Sequence, residues 1–154
     1  VSYSDIIFDK KVIQSLINSE GNIVVPYITN WLDIWEKRFS NPLDDAESFK
    51  VDNNGAILNI GQPSNTIEEI QGQYMGILKI TPKGWSDINY IINNINPQRI
   101  DKLDITGLLN LLINNNIIVN SIETNCAWFE FDSQEDINIF KKHSLIDNFI
   151  NKKN

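Results

Sequence analysis

Carboxylates are the side chains best placed to do chemistry in this sequence, because histidine and cysteine are nearly absent. The 154 residues include one His and one Cys against 20 Asp and Glu. Zinc sites and His-dependent nucleophilic catalysis therefore have almost no material to draw on in this chain. Carboxylate oxygens are hard ligands that suit Mg²⁺, which completes its coordination shell with water and substrate phosphates. The composition therefore favours phosphate chemistry at an acidic site.

Two aspartates stand where an α/β sheet collects its ligands, near the ends of strands. Asp5 interrupts the apolar opening of the chain, and Asp132 follows a strand-like segment, residues 127–131, directly before a helix. Each also has a purely structural explanation, because Asp is common in turns and at helix starts. Position alone favours the structural explanation for both residues.

Apolar periodicity predicts the elements that must position these aspartates. Strands are predicted at residues 1–3 and 6–8, 23–28, 74–80, 117–122 and 127–131. Helices are predicted after Asp9 with the stripe Val12, Ile13, Leu16 and Ile17, over residues 31–39, after Thr81-Pro82, from about Asp104, and over residues 133–143 with a capping box from Ser133 to Asp136. Strands and helices alternate, so we expect one α/β domain with a mixed, mostly parallel sheet.

Two local signals refine this sheet. Pro26 lacks an amide proton, which predicts an edge or irregular position for its strand. Asp52-Asn53-Asn54-Gly55 predicts the tight turn of a hairpin between residues 47–51 and 56–60, because Asn-Gly tolerates positive backbone angles. The hairpin is expected as an insertion into the α/β sheet.

The overall charge limits the partners of this chain. A net charge of −7 and a pI near 4.6 argue against binding to nucleic acid or anionic membranes. No apolar run approaches the roughly 18 residues that span a bilayer. A single cysteine, Cys126, excludes an intrachain disulfide and fits a reducing compartment. We therefore expect a cytoplasmic protein that binds small molecules or other proteins.

Several motifs, in order, resemble one known family. Tyr3-Ser4-Asp5-Ile6-Ile7-Phe8 resembles the segment that carries the first metal-binding aspartate of the sugar and alcohol-phosphate nucleotidyltransferases, and residues 128–136 resemble their second metal motif. Between them lie segments similar to the phosphocholine and aminoethylphosphonate cytidylyltransferases: Trp31, Trp35, Arg38-Phe39, Pro42-Leu43-Asp44-Asp45-Ala46-Glu47 and Gly72-Gln73-Tyr74-Met75-Gly76. The similarity covers nearly the whole chain.

This resemblance implies a Rossmann-like fold and a reaction. Asp5 and Asp132 would both hold Mg²⁺ against the phosphates of CTP or another nucleoside triphosphate. A phosphate or phosphonate oxygen of a small alcohol or amine acceptor would attack the α-phosphorus, and pyrophosphate would leave. Catalysis of this kind rests on positioning and charge neutralisation rather than on a covalent nucleophile.

The resemblance also implies an acceptor site at Trp31, Trp35, Glu47, Gln73 and Tyr74. Aromatic faces and carboxylates together suit an ammonium group. Tryptophans near a helix can equally be core packing, and an Asp-Asp-Ala-Glu run can be a solvated turn. Arg38 has three open choices, which are pairing with Asp44, pairing with Asp45, or contact with a phosphate.

The glycine-rich, basic loop that holds the triphosphate in this family has no counterpart here, since no two glycines form a Gly-x-Gly arrangement. We therefore expect residues 1–154 to be the C-terminal portion of a nucleotidyltransferase domain, inactive alone and prone to self-association through an exposed sheet edge. The alternatives are a sugar-1-phosphate nucleotidyltransferase and a non-catalytic binding or assembly module.

Overall fold

The computed structural model describes residues 1–150, with the side chains of Asn148 and Ile150 excluded. The strands are β1 Ile6–Phe8, β2 Ile23–Ile28, β3 Glu47–Val51, β4 Ile57–Pro63, β5 Gln73–Tyr74, β6 Lys79–Ile80, β7 Asn120–Thr124 and β8 Trp128–Glu130. The helices are α1 Lys11–Asn18, α2 Trp31–Arg38, α3 Pro82–Asn93, α4 Pro97–Ile100, α5 Ile105–Asn114, α6 Gln134–Lys142 and α7 Asp147–Ile150. The predicted α/β class is confirmed, while the predicted domain end at residue 154 lies outside the described residues.

Strand β2 is the centre of the main sheet, and all six of its residues are buried. It pairs in parallel with β7 along one side and antiparallel with β5 and β6 along the other. The other described pairs, β1 with β8 and β3 with β4, are antiparallel, so parallel pairing in residues 1–150 is confined to β2 and β7. The sheet is therefore mixed, with less parallel pairing than the alternation of elements indicates.

The edge position predicted for Pro26 is wrong, but the irregularity is present. The Pro26 carbonyl accepts a hydrogen bond from the Met75 amide at 3.4 Å. The amide and carbonyl of one strand residue point to the same side, so the missing proton of Pro26 faces the side of β5 and β6. That side is interrupted between the two short strands. A central strand thus accommodates proline because its partner is broken there.

The single strand predicted at residues 74–80 is wrong, because β5 and β6 are separated by a turn at Gly76. Gly76 has a φ of 72°, and a Cβ there would lie 2.8 Å from Cδ2 of Tyr3. The segment pairs instead with the start of the chain, where the Tyr3 amide donates to the Gly76 carbonyl at 2.7 Å and the Leu78 amide to the Val1 carbonyl at 2.9 Å. Close approach of Tyr3 therefore requires glycine at this position.

The predicted hairpin is confirmed, and β3 pairs antiparallel with β4. The Asp52 amide donates to the Ala56 carbonyl at 2.9 Å, and Gly55 takes a φ of 79°. The Ser121 amide donates to the Gly55 carbonyl at 2.7 Å, which joins the turn to β7. The hairpin is therefore anchored to the main sheet at its turn, and its other end lies near β5.

Three of the predicted helix starts are confirmed by side-chain caps, whereas α1 and α2 begin without such a cap. Thr81 accepts from the Gly84 amide at 3.2 Å, and Asp104 accepts from the Gly107 amide at 2.7 Å. Ser133 and Asp136 form the predicted capping box at the start of α6. Each cap satisfies an amide that the first helical turn leaves without a partner. The short helix α4 is not predicted by the sequence pattern.

Apolar packing surrounds β2 on both faces. Alternate residues of β2 point to opposite faces of the sheet. Those on one face pack with the hairpin, α3 and α5, and those on the other face pack with α1 and α2. The predicted stripe of α1 is only half buried, since Val12 and Leu16 face the core while Ile13 and Ile17 are exposed. Self-association through an exposed sheet edge stays a prediction. Throughout residues 1–150, every helix falls short of the length and apolar character that crossing a bilayer requires.

Candidate active site

The pairing of β1 with β8 brings Asp5 and Asp132, which are far apart in sequence, to neighbouring positions. Ile6 lies opposite Glu130 in the antiparallel register. The Asp5 carbonyl accepts a hydrogen bond of 2.9 Å from the Phe131 amide, and Asp132 is the next residue. The two predicted metal ligands therefore extend from adjacent strand ends. Their joint binding of a metal stays a prediction.

Beside these strand ends lies a cavity of about 350 Å³, which we call the acidic cavity. Its lining residues come from the chain start, α2, the hairpin, β5, α5 and β8. They are the carboxylates Asp45, Glu47, Asp104, Glu130 and Asp132, the aromatics Tyr3, Trp35 and Tyr74, and Gln73, Gly76 and Thr106. No Lys or Arg of the described chain is among them. The lining is therefore suited to a positively charged ligand group.

Most of the predicted site residues converge on this cavity. Trp35, Glu47, Gln73, Tyr74 and Asp132 all line it. Two predicted residues do not. Asp5 lies at the neighbouring strand end, and Trp31 is 3% exposed and packs edge-to-face against Trp35 with ring centroids 5.9 Å apart. Trp31 therefore supports Trp35 from the core.

Gln73 contacts Glu47 through both atoms of its side-chain amide. Its Nε2 donates to the Glu47 carbonyl at 2.5 Å, and its Oε1 accepts from the Glu47 amide at 3.2 Å. The side chain is buried. Gln73 thus replaces a rung of backbone pairing between β5 and β3, and it holds Glu47 at the wall of the cavity.

Trp35 forms a second wall. Its Nε1 donates to Oδ2 of Asp45 at 3.0 Å. Its ring stacks on Trp128 with centroids 5.9 Å apart and an interplanar angle of 5°. The Trp128 Nε1 donates in turn to the Met75 carbonyl at 2.9 Å. These contacts fix both the aromatic face and the carboxylate of Asp45.

Arg38 pairs with carboxylates other than the two that the sequence offered, while its contact with a phosphate stays a prediction. Its Nη2 lies 2.5 Å from Oδ2 of Asp132, and its Nε lies 2.8 Å from Oδ1 of Asp136. Its Nη1 is 3.6 Å from Oε2 of Glu130. Neither Asp44 nor Asp45 is its partner in the described chain. The buried guanidinium of Arg38 therefore lies within ion-pair distance of three carboxylates at the edge of the cavity.

The cavity shifts the titration of its acids. Burial, with the charge of Asp132 next in importance, raises the pKa of Glu130 to about 7, although Arg38 opposes the shift. Partial desolvation, with Asp104 and Asp45, also raises the pKa of Glu47. These shifts arise mainly because burial disfavours the charged form of each carboxyl, and the neighbouring acids add to this effect.

The Tyr74 hydroxyl is also unusual. It is buried and has no hydrogen-bond partner in the described part of the chain, and burial raises its pKa. A buried hydroxyl without a partner is costly. Tyr74 lines the cavity, but its hydroxyl oxygen is itself inaccessible and is not presented to a ligand there.

Replacing Glu130 with Gln is expected to stabilise the fold increasingly as the pH rises. The folded pKa near 7 lies above the ordinary carboxyl value, so ionisation of Glu130 destabilises the folded state as pH rises through this window. Gln does not ionise. Between pH 5 and pH 8, the unfolding free energy should shift in favour of the variant by about 1–3 kcal/mol. Urea unfolding at both pH values measures this shift. The exposed Glu68→Gln should show no such trend, and parallel pH dependence of Glu130→Gln and wild type would contradict the prediction.

The donors at the strand ends suit a hard cation. In addition to burial, the charges of Asp132 and Asp5 raise the pKa of Glu130, so the three carboxylates are close enough to interact electrostatically. Within residues 1–150, no three His, Cys, Asp or Glu side chains converge as a metal-holding group. Mg²⁺ commonly takes only one or two protein carboxylates, with water and phosphates as its other ligands. An ion held by Asp5 and Asp132 would need further ligands from outside the described residues, and such a site stays a prediction.

Six residues that line the cavity lie outside the predicted site residues. Four of them belong to the resembling motifs, namely Tyr3, Asp45, Gly76 and Glu130. The other two, Asp104 and Thr106, lie where the sequence predicts only the start of a helix. They reach the cavity because α5 packs against β4 of the hairpin, a contact between distant segments for which no local signal exists.

Comparison with known proteins agrees with this geometry. No protein-family model matches the chain. Over 148 residues it is 29% identical to the CTP:phosphoglutamine cytidylyltransferase of Campylobacter jejuni subsp. jejuni serotype O:2, a match that covers 90% of this chain and 57% of that protein.

The fold is also similar to that of a solved structure. A Bacillus anthracis protein described as a glucose-1-phosphate thymidylyltransferase, solved in complex with sucrose, matches 92% of this chain and 52% of its own with a TM-score of 0.62. At 13% identity, this match shows the fold alone. The chain spans little more than half the length of the two proteins it matches. The chain is thus similar in sequence to a cytidylyltransferase and similar in fold to a protein described as a thymidylyltransferase.

Proposed function

We propose that this chain provides the acidic half of an active site that transfers a cytidylyl group from CTP to a small phosphorylated or phosphonylated alcohol or amine, with release of pyrophosphate. The supporting observation is the convergence of the two motif aspartates with a cavity lined by five carboxylates and three aromatic rings. The similarity to a cytidylyltransferase supports the nucleotide.

In this reaction Asp5 and Asp132 would hold Mg²⁺, which would neutralise the phosphates of the nucleotide. The other residues of the cavity bind and orient the acceptor. Glu47 and Asp45 present carboxylates, and Trp35 presents an aromatic face next to them. Tyr74 lines the same cavity and adds a further aromatic ring.

The cavity favours an acceptor that carries an ammonium group. Its carboxylates attract a cation, and its aromatic rings add cation–π attraction. A neutral sugar hydrogen-bonds to carboxylates but gains no charge attraction from them. The related enzyme is named for phosphoglutamine, a phosphorylated amino acid, which agrees in class with this preference.

We also propose that the chain alone holds a nucleoside triphosphate weakly. The cavity is lined by carboxylates, and Arg38 is already engaged by acids. A triphosphate needs cations and amide donors to offset its charge. Isothermal titration of the 154-residue chain with CTP and Mg²⁺ measures this directly, and tight binding would contradict the proposal.

The reaction is tested by measuring pyrophosphate release from CTP and Mg²⁺ with the protein expressed from its complete gene. Phosphocholine, 2-aminoethylphosphonate and glucose 1-phosphate are supplied in turn as acceptors. We expect turnover with the two cationic acceptors and little with the sugar phosphate. Turnover with glucose 1-phosphate alone would favour a sugar-1-phosphate nucleotidyltransferase, and no turnover with any acceptor or nucleotide would favour a binding module.

Replacing Glu47 with Gln should raise the KM for the cationic acceptor about 10-fold to 100-fold and leave the KM for CTP nearly unchanged. A charge-assisted contact is worth about 1.5–3 kcal/mol, and Gln keeps the shape while removing the charge. Steady-state kinetics in the same assay give both constants. Glu68→Gln, at an exposed position outside the cavity, is the matched control. An unchanged acceptor KM in Glu47→Gln would remove Glu47 from the acceptor site.

A further inference from the structure

Arg38, the last residue of α2, is held more completely than a surface arginine. Its side chain is 1% exposed. Its Nε and Nη2 engage the carboxylates of Asp136 and Asp132, at 2.8 and 2.5 Å. Its Cζ lies 5.0 Å from the ring centroid of Phe39 and 5.8 Å from that of Phe129. The guanidinium therefore has one orientation, set by rings and by two acids.

Asp136 contacts both Arg38 and the backbone of Asp132. Its Oδ1 accepts from Arg38, while its Oδ2 accepts from the amide of Asp132 at 3.1 Å and from the amide of Ser133 at 2.8 Å. The Ser133 hydroxyl also donates to Oδ2 at 2.8 Å. Asp136 thus fixes the backbone of Asp132, and Arg38 fixes its carboxylate.

Asp132 itself is half exposed at the acidic cavity, whereas the groups that hold it are buried. An exposed aspartate on a loop ordinarily samples several rotamers. Here the planar guanidinium of Arg38 contacts Asp132 and Asp136 at the same time, and it thereby restricts the rotamer of Asp132. Lysine carries the same charge, but a single ammonium on a flexible stem cannot reproduce a planar fork.

We propose that Arg38 and Asp136 form a positioning pair for Asp132, and that Arg38 acts through the orientation of its guanidinium rather than through its charge. The inference rests on the proposed function, in which Asp132 is a metal ligand. Groups that orient metal ligands typically change metal affinity 10-fold to 100-fold when they are altered. Neither residue needs to touch nucleotide or acceptor.

The test measures Mn²⁺ binding to the 154-residue chain by electron paramagnetic resonance, without nucleotide. Arg38→Lys keeps every charge, and we expect it to weaken Mn²⁺ binding about 10-fold or more. Arg99→Lys makes the same exchange at an exposed position on α4 and should leave Mn²⁺ affinity unchanged. Asp132→Asn identifies the site, because binding at Asp132 must weaken in this variant. Circular dichroism confirms that each variant is folded.

The possible outcomes separate this inference from the proposed function. If Asp132→Asn weakens Mn²⁺ binding and Arg38→Lys does not, the metal site at Asp132 is supported and the positioning role of Arg38 is contradicted. If wild type and Asp132→Asn bind Mn²⁺ equally, the metal site and the positioning role fall together. Should Arg38→Lys not fold, Ser133→Ala also keeps every charge and loosens Asp136. Weaker Mn²⁺ binding in that variant supports the positioning pair, and unchanged binding overturns it.

Discussion

Replacing Asp132 with Asn is expected to lower kcat/KM for pyrophosphate release by about 10²–10³-fold, with the loss mainly in kcat. Asn keeps the size of the side chain and removes the charge that would hold Mg²⁺ against the nucleotide. Asp5→Asn should show a loss of similar size, because the β1–β8 pairing puts both residues at adjacent strand ends. Steady-state kinetics with the protein expressed from its complete gene measure both variants.

A matched substitution separates a local effect from a general change in charge. Asp101→Asn removes one negative charge from an exposed turn that does not line the cavity, and it should retain wild-type activity. Raising the Mg²⁺ concentration should partly restore Asp132→Asn if the residue acts through the metal. Full activity in either aspartate variant, with folding intact, would remove that residue from the proposed metal site.

Features encoded within a few residues were predictable from the sequence. Thr81 and Pro82 start α3, Ser133 and Asp136 form a capping box, and Gly55 turns the hairpin. Each signal involves residues no more than four positions apart, so the chain needs no distant partner to produce it. The order of helices and strands followed from these signals and from the apolar periodicity.

Features that depend on distant partners were not predictable. The run from Tyr74 to Ile80 is apolar enough for a single strand, and only the approach of Tyr3 reveals why the chain turns at Gly76. Proline in β2 indicated an edge or an irregular position; the edge was wrong, because the strand is central and only its partner is interrupted opposite Pro26. Both errors concern one place, the broken side of the main sheet.

The same division applies to the site. The motifs located Asp5, Asp132, Glu47 and Tyr74, but they could not show which residues share a cavity. Asp104 and Thr106 join it only because α5 packs on the hairpin. Local sequence also gave no reason to pair Arg38 with acids more than 90 residues further along the chain. These contacts are tertiary, and they determine how charge is distributed in the cavity.

Replacing Arg38 with Met should destabilise the fold by about 3–5 kcal/mol near neutral pH, which is the usual cost of leaving a buried charge without its partner. Met keeps the volume and the apolar contacts with Phe39 and Phe129, so packing changes little. The main loss is electrostatic, since Asp136 is buried and its carboxylate loses the charge-assisted bond at 2.8 Å. Urea unfolding followed by tryptophan fluorescence measures the difference.

The pH dependence of this difference identifies its cause. Although burial opposes the shift, hydrogen bonds from Arg38 and Ser133 hold the pKa of Asp136 below its ordinary value. A carboxyl with a lowered folded pKa stabilises the fold above its unfolded pKa and loses that contribution as pH falls through the folded value. The gap between wild type and Arg38→Met should therefore be largest near neutral pH and should narrow below about pH 4. Lys37→Met removes the same charge from the exposed neighbouring position and should stay within about 0.5 kcal/mol of wild type. A loss as small in Arg38→Met would mean that water already solvates Asp132 and Asp136, and that Arg38 holds neither of them.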